Sequence, residues 1–166
     1  MEDVFQKLIL MIRAYYPVLY LHSYEYYRTK QKIKGIVELL RREGKKVNYY
    51  QWDCVYGLVQ ILPDKTEKRI ERMQNPLEVL AYILNSKKSG EKNIFVLDDI
   101  NNHIDRDEVK LMFRKIAEAT NNNTHAIILS SIYRLPAELE KYITVLQIPL
   151  PKRNELGEVL DIVAKQ

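Results

Sequence analysis

The sequence predicts an α/β protein, a three-layer α/β/α sandwich on a mainly parallel sheet of five strands. The prediction rests first on short apolar runs that alternate along the chain with amphipathic helices. It rests also on size, because 166 residues, 46% of them hydrophobic, are enough for one domain with its own core. No linker or internal repeat divides the chain, so we expect a single domain over residues 1–166.

Five apolar runs predict the strands of this sheet. Each run is too short for a helix and nearly free of polar residues, as is typical of strands buried on both faces. The five runs are residues 18–21, 47–52, 93–97, 126–129 and 143–148. A further segment, residues 56–62, is predicted as either an added strand or an irregular excursion.

Helices are predicted wherever apolar residues recur at helical spacing between these runs. They include an N-terminal helix over residues 3–15, a second over 26–43 and a closing helix over 153–164. Gly44 stands where a left-handed C-terminal cap is expected. Asn75 followed by Pro76 marks the start of a third helix. A fourth helix is predicted to begin with a capping box formed by Asp105 and Glu108.

The charge pattern gives weak support for nucleic-acid binding. The chain has 26 Lys and Arg against 22 Asp and Glu, a net charge of +4. The basic residues fall in three clusters, at 28–34, 41–46 and 65–72, and each is interrupted by apolar or acidic residues. Solvated helix faces explain such clusters better than a continuous nucleic-acid surface.

The cysteine count and the hydropathy pattern exclude several classes of protein. The single cysteine, Cys54, excludes an internal disulfide and a multi-cysteine zinc site, and we expect it to be a buried structural thiol. No apolar run is long enough to cross a membrane, and the N-terminus lacks the basic-then-apolar layout of a secretion signal. These features favour a cytoplasmic protein without a membrane partner.

The candidate functional residues follow the predicted strands. In α/β sheets of this kind, ligands bind beyond the carboxyl ends of the strands. The residues at those ends are His22 and Ser23, Asp53 and Cys54, Asp98 and Asp99, Ser130 and Ser131, and Pro149.

Asp98 and Asp99 give the sharpest motif. Four apolar residues followed by two acids form the second nucleotide-binding motif of P-loop ATPases, in which the first acid holds Mg²⁺ and the second orients the attacking water. Asp99 is one methylene shorter than the usual Glu, and Asp98 is a weak metal candidate. Ser131, after the next strand, stands where such ATPases place a polar sensor of the γ-phosphate. The alternative is that these polar residues only cap the loops they begin.

A glycine-rich phosphate loop is missing from the expected position. Phosphates are cradled by bare backbone N–H groups, which bulky side chains keep at a distance. No glycine follows the first strand before Gly35, inside the second helix. We therefore expect no nucleotide cofactor on this chain. The residues in the phosphate-loop position are instead His22, Ser23, Tyr24 and Glu25.

The succession of these segments resembles an AAA+ ATPase core. It is most similar to the N-terminal domain of the AAA+ family named for a conserved hypothetical chloroplast reading frame. The resemblance covers nearly the whole chain in order, and no single motif is specific. The matching segments are residues 16–21 with Glu25, 75–80, 94–99, 127–131, 135–141 and 145–151.

The resemblance implies a RecA/AAA+-like P-loop NTPase fold without a working P-loop. In that family such a domain precedes a complete ATPase module, which uses ATP and Mg²⁺. An arginine is expected before the fifth strand of an active AAA+ protein, but this chain has Glu140, Lys141 and Tyr142 there, and Arg134 is a poor substitute.

Three functions remain open at this point. The favoured one is a non-catalytic AAA-like module for interaction or assembly, either the N-terminal domain of an AAA+ ATPase or a stand-alone relative. Its expected partner is its own AAA+ module, another protein or a second copy. The alternative is a metal- or nucleotide-dependent phosphoryl-chemistry enzyme that uses Asp98 and Asp99. The second alternative is RNA or DNA binding through the basic helices, with Tyr24 and Tyr27 as stacking residues. The three histidines are too scattered for a confident metal site; they are His22, His103 and His125.

Overall fold

The computed structural model describes residues 3–119 and 123–164, which form one sheet with helices on both faces. The helices are α1 (Val4–Arg13), α2 (Tyr26–Arg42), α3 (Pro76–Ser86), α4 (Asp107–Glu118) and α5 (Arg153–Ala164). The strands are β1 (Val18–His22), β2 (Val47–Asp53), β3 (Gly57–Ile61), β4 (Glu67–Ile70), β5 (Lys92–Asp98), β6 (Thr124–Ser130) and β7 (Thr144–Gln147).

The sheet has seven strands in the order β4-β3-β2-β5-β6-β1-β7, so the predicted count of five is wrong. The five predicted strands are all present, and they pair in parallel. The segment at residues 56–62 forms β3, which is antiparallel to β2, and β4 extends the same meander. β4 has the sequence Glu-Lys-Arg-Ile and is largely exposed, so it has no apolar pattern to predict it.

Two cores cover the two faces of the sheet, which confirms the three-layer architecture. On one face, Phe95 and Leu97 of β5 pack with side chains of α3 and α4. On the other face, Ile94 and Val96 of the same strand pack with side chains of α1 and α2. This alternation follows from the pleat of a strand buried on both sides.

Two of the predicted helix boundaries are confirmed by their caps. The Asn75 side chain accepts a hydrogen bond from Leu77 N at 3.0 Å, with Pro76 in the first turn. Gly44 has a φ of +81°, the left-handed conformation expected of a residue just after a helix.

The predicted capping box of α4 is wrong. The N-cap is Arg106, one residue beyond Asp105, and it makes no side-chain capping bond. The carboxylate of Glu108 accepts instead from the Arg106 guanidinium at 2.7 Å. Asp107 and Glu108 lie in the first turn, where negative charge complements the helix dipole.

Cys54 is exposed, so the prediction of a buried thiol is also wrong. It lies in the turn between β2 and β3, where Val55 and Tyr56 are exposed as well. Among the described residues, no helix combines the length and the apolar character needed to span a bilayer.

Candidate functional site

Three neighbouring strands bring the predicted site residues to one edge of the sheet. β6 lies between β5 and β1, and in this register Asp98 pairs with Leu129 while His22 pairs with Ser130. The residues that follow the three strands therefore converge at the carboxyl edge, as the sequence predicts.

The turn between β1 and α2 is short and is closed by its own hydrogen bonds. Ser23 N donates to Ser130 O at 3.0 Å, and Glu25 N donates to the Ser23 hydroxyl at 3.1 Å. That hydroxyl also lies 2.9 Å from the hydroxyl of Thr29, and Ser23 is fully buried. The Glu25 carboxylate pairs with Arg28 at 2.8 Å. The turn is thus anchored to β6 through the backbone and to α2 through side chains, and no glycine lies within it.

Tyr26, the first residue of α2, joins the second acid to the sensor-like serine. Its hydroxyl donates to Asp99 Oδ1 at 2.5 Å and accepts from Ser131 N at 2.9 Å. The Ser131 hydroxyl lies 3.4 Å away from the same phenol oxygen. Ser130 donates to Asp99 Oδ1 at 2.8 Å, so this carboxylate oxygen receives two hydrogen bonds from within the chain.

Lys30 supplies a cation to the first acid. Its ammonium forms an ion pair with Asp98 Oδ2, and the two side chains are only 22% and 15% exposed. The other oxygen of Asp98, Oδ1, is buried and has no hydrogen-bond partner within residues 3–119 and 123–164. Burial raises the pKa of Asp98, Lys30 opposes this, and the negative charges of Asp99 and Asp53 raise it further.

Sequence reasoning missed both Tyr26 and Lys30 as site residues. Their only sequence signal is a spacing of four, which places two side chains on the same face of a helix. The structure shows that this face of α2 lies over the ends of β5 and β6, because the two side chains reach Asp99 and Asp98.

The neighbouring acids are held by local geometry. Asp99 has a φ of +54°, a left-handed conformation that Asp tolerates better than most residues. Asp53 accepts from Val55 N at 2.8 Å and from Tyr56 N at 2.7 Å, so its carboxylate stabilises the turn after β2.

His22 connects the ends of three strands. Its Nε2 donates to Ser131 O at 2.9 Å, and its Nδ1 lies 2.6 Å from Gln147 Oε1 at the end of β7. The rings of Tyr24 and Tyr133 lie beside the imidazole, with centroids 5.4 and 6.2 Å from it.

The other two histidines lie outside this site. His125 belongs to the start of β6, at the opposite edge of the sheet, and His103 ends a short 3₁₀ helix after Asp99. In the segments described, no three His, Cys, Asp or Glu residues are grouped as metal ligands.

Exposed aromatic and aliphatic side chains follow the strands at this edge of the sheet, and we call them the carboxyl-edge patch. It is defined by six large side chains that follow β1, β2 and β6, each between 53% and 78% exposed. They are Tyr24, Tyr27, Val55, Tyr56, Ile132 and Tyr133. The Tyr20 hydroxyl holds the segment that carries Ile132 and Tyr133, because it donates to Ile132 O at 2.6 Å and accepts from Arg134 N at 3.2 Å.

The mainly parallel sheet, the two acids at the end of β5 and the two serines at the end of β6 define an AAA+-like P-loop NTPase fold. Comparison with known proteins agrees with this class. The chain belongs to the family of SpoVK-like AAA ATPase N-terminal domains, whose model matches residues 4–148.

The similar curated proteins include three named "Uncharacterized AAA domain-containing protein ycf46". Those of Guillardia theta and Trieres chinensis are each 28% identical, over 91% and 93% of this chain. That of Pyropia yezoensis is 26% identical over 96% of the chain. The chain spans only 28%, 29% and 31% of their lengths, respectively. These names agree with the resemblance to the chloroplast reading-frame family.

A solved structure supports the fold alone. The chain is similar to the ORC2 protein of Aeropyrum pernix, solved in ADPNP–ADP complexes, with a TM-score of 0.58 and 14% sequence identity. The match covers 98% of this chain and 50% of that one.

Proposed function

We propose that this domain is a non-catalytic AAA-like module that contributes protein contacts to an AAA+ ATPase. The observation that carries the proposal is that two side chains of α2 bind the acids of the candidate site. Tyr26 bonds Asp99 and the Ser131 backbone, and Lys30 pairs with Asp98. One carboxylate oxygen of each acid and the Ser131 backbone, which would face Mg²⁺ and the γ-phosphate in an active ATPase, therefore already have partners within the chain.

The turn after β1 supports the same proposal. A triphosphate needs several free backbone N–H groups at close range. Here Ser23 N and Glu25 N donate within the protein, and the Glu25 side chain, paired with Arg28, stands where a glycine-rich loop would have none. These changes from a glycine-rich loop act against phosphate binding, because the backbone donors are engaged and side chains fill the turn.

The carboxyl-edge patch supports a role in protein contacts. Aromatic side chains with a polar tip are enriched at protein interfaces, and exposed apolar groups gathered at one edge commonly mark a binding surface. The family match and the greater length of the curated relatives make an AAA+ module the first candidate partner. A second copy of the domain is a further candidate, and the proposed compartment is the cytoplasm.

Thermal unfolding with nucleotide and metal tests the non-catalytic role. We expect no shift in Tm on addition of ATP or ADP with Mg²⁺, or of Mg²⁺ or Mn²⁺ alone. A stabilising shift with a divalent ion that is lost in Asp98→Ala would favour the phosphoryl-chemistry alternative and would contradict the proposal. The Asp107→Ala variant, in which the replaced acid is exposed in α4, is the matched control.

A further inference from the structure

A basic groove lies beside the edge strand β7, three strands away from β5, which carries Asp98 at its end. It has a volume of about 540 Å³ and runs between the start of α1, the first half of α2 and the chain that follows β7. Its apolar lining, which we call its floor, includes Phe5 and Leu146, which pack in the same core, and Leu150, which is 65% exposed.

The rim of this basic groove is predominantly cationic. Four cations line it, and the single lining acid is Asp3, whose Oδ1 accepts from Phe5 N at 3.1 Å as the cap of α1. The cations are Lys7, Arg28, Lys32 and Lys152.

Three of these cations are available to a ligand. Arg28 is engaged with Glu25 and with Pro149 O, at 2.8 and 3.1 Å. The ammonium groups of the other three take part in none of the ion pairs within the described residues. Lys32 Nζ lies 5.9 Å from the centroid of the Phe5 ring, which holds this charge above the apolar floor.

Among the residues that the structure describes, β7 pairs with β1 alone, so its other side is an unpaired sheet edge beside the basic groove. β7 is the last strand in the sheet order. An added strand can use such an edge for backbone hydrogen bonds, while alternate side chains meet the floor and the rim. β7 has four residues, so it can pair with about four residues of an incoming strand, because both strands rise by about 3.3 Å per residue.

We propose that the basic groove binds an acidic, extended segment of a partner protein, with carboxylates toward the lysines and apolar side chains on the floor. The proposal does not rest on the state of the nucleotide site. A protein segment fits better than a nucleic acid, because Phe5 is only 7% exposed and the basic groove offers no open aromatic face on which bases could stack.

Fluorescence anisotropy with a labelled peptide of about ten residues that alternates Glu with Val or Leu tests the proposal. The matched peptide carries Gln in place of every Glu. The groove variant is Lys7→Glu/Lys32→Glu. The control variant, Lys68→Glu/Arg69→Glu, makes the same charge change on exposed residues of β4, at the other end of the sheet. Circular dichroism establishes that both variants are folded.

We expect saturable binding of the Glu peptide, weakening of its Kd by about tenfold or more in the groove variant, and a change of less than about twofold in the control. Three results would overturn the proposal. The first is that the Glu peptide binds no better than the Gln peptide. The second is an equal loss of affinity in the groove variant and the control variant. The third is tighter binding of a labelled oligouridylate of similar length than of the Glu peptide.

Discussion

Replacement of Lys30 by Met removes the cation of Asp98 and should destabilise the domain strongly. Removing one partner of a buried ion pair costs about 3–5 kcal/mol, because a buried charge is left without compensation. The two side chains are 22% and 15% exposed, so solvent screens part of this cost, and we expect a loss of about 2–3 kcal/mol for Lys30→Met. The unpartnered Oδ1 of Asp98 keeps the expected cost substantial.

The assay is urea unfolding at pH 7, followed by circular dichroism. Lys32→Met is the matched control, since Lys32 is exposed on the same helix. The double variant Lys30→Met/Asp98→Asn should recover more than half of the lost stability, because it removes the uncompensated charge as well. The reasoning would be refuted if Lys30→Met and Lys32→Met were equally stable. It would also be refuted if the stability lost in Lys30→Met/Asp98→Asn equalled the sum of the losses in its two single variants.

The effect of Lys30→Met should also depend on pH. Burial already raises the pKa of Asp98 in the folded protein, and loss of Lys30 should raise it further. The folded state then binds a proton more readily than the unfolded state, so stability falls as the pH rises through the folded pKa. The deficit of the variant should therefore be largest near neutral pH and should shrink toward pH 4, as unfolding series over this range will show.

Three further predictions concern other groups. Tyr26→Phe removes the bonds to Asp99 Oδ1 and from Ser131 N, and urea unfolding should show a loss of about 1–3 kcal/mol; an unchanged midpoint would contradict it. Burial lowers the pKa of His125 to about 4, with Lys92 and Lys87 nearby, so the unfolded state binds a proton first as the pH falls. Stability should drop by about 3 kcal/mol between pH 6.5 and 4, and His125→Gln should flatten that slope. Cys54 is exposed and should react with a thiol reagent in the native protein as fast as in urea; marked protection would be inconsistent with its placement.

The central strands could be predicted because their sequences are apolar without interruption. β5 and β6 are buried along almost their whole length, and such runs have few alternatives in a soluble domain. β4 could not be predicted, because its pairing with β3 is made by backbone groups while its side chains face solvent. The sequence predicts a buried thiol at Cys54, but this residue lies in the turn after β2 and is exposed.

The site was predicted in part for a similar reason. Asp98 ends β5, Asp99 follows it and Ser131 follows β6, so the topology alone brings them to one edge. Tyr26 and Lys30 depend on how α2 is rotated over that edge, and this rotation is set by packing of its apolar face, including Ile33 and Val37. Long-range packing of this kind has no local signature in a sequence.

Isothermal titration of the domain with ATP in excess Mg²⁺ tests the central claim most directly. The Tyr26 hydroxyl and the Lys30 ammonium bind Asp99 and Asp98, and the turn after β1 is closed by its own side chains. We therefore expect no saturable heat of binding up to millimolar ATP. Saturable binding in the micromolar range, weakened by Asp98→Asn, would contradict the account.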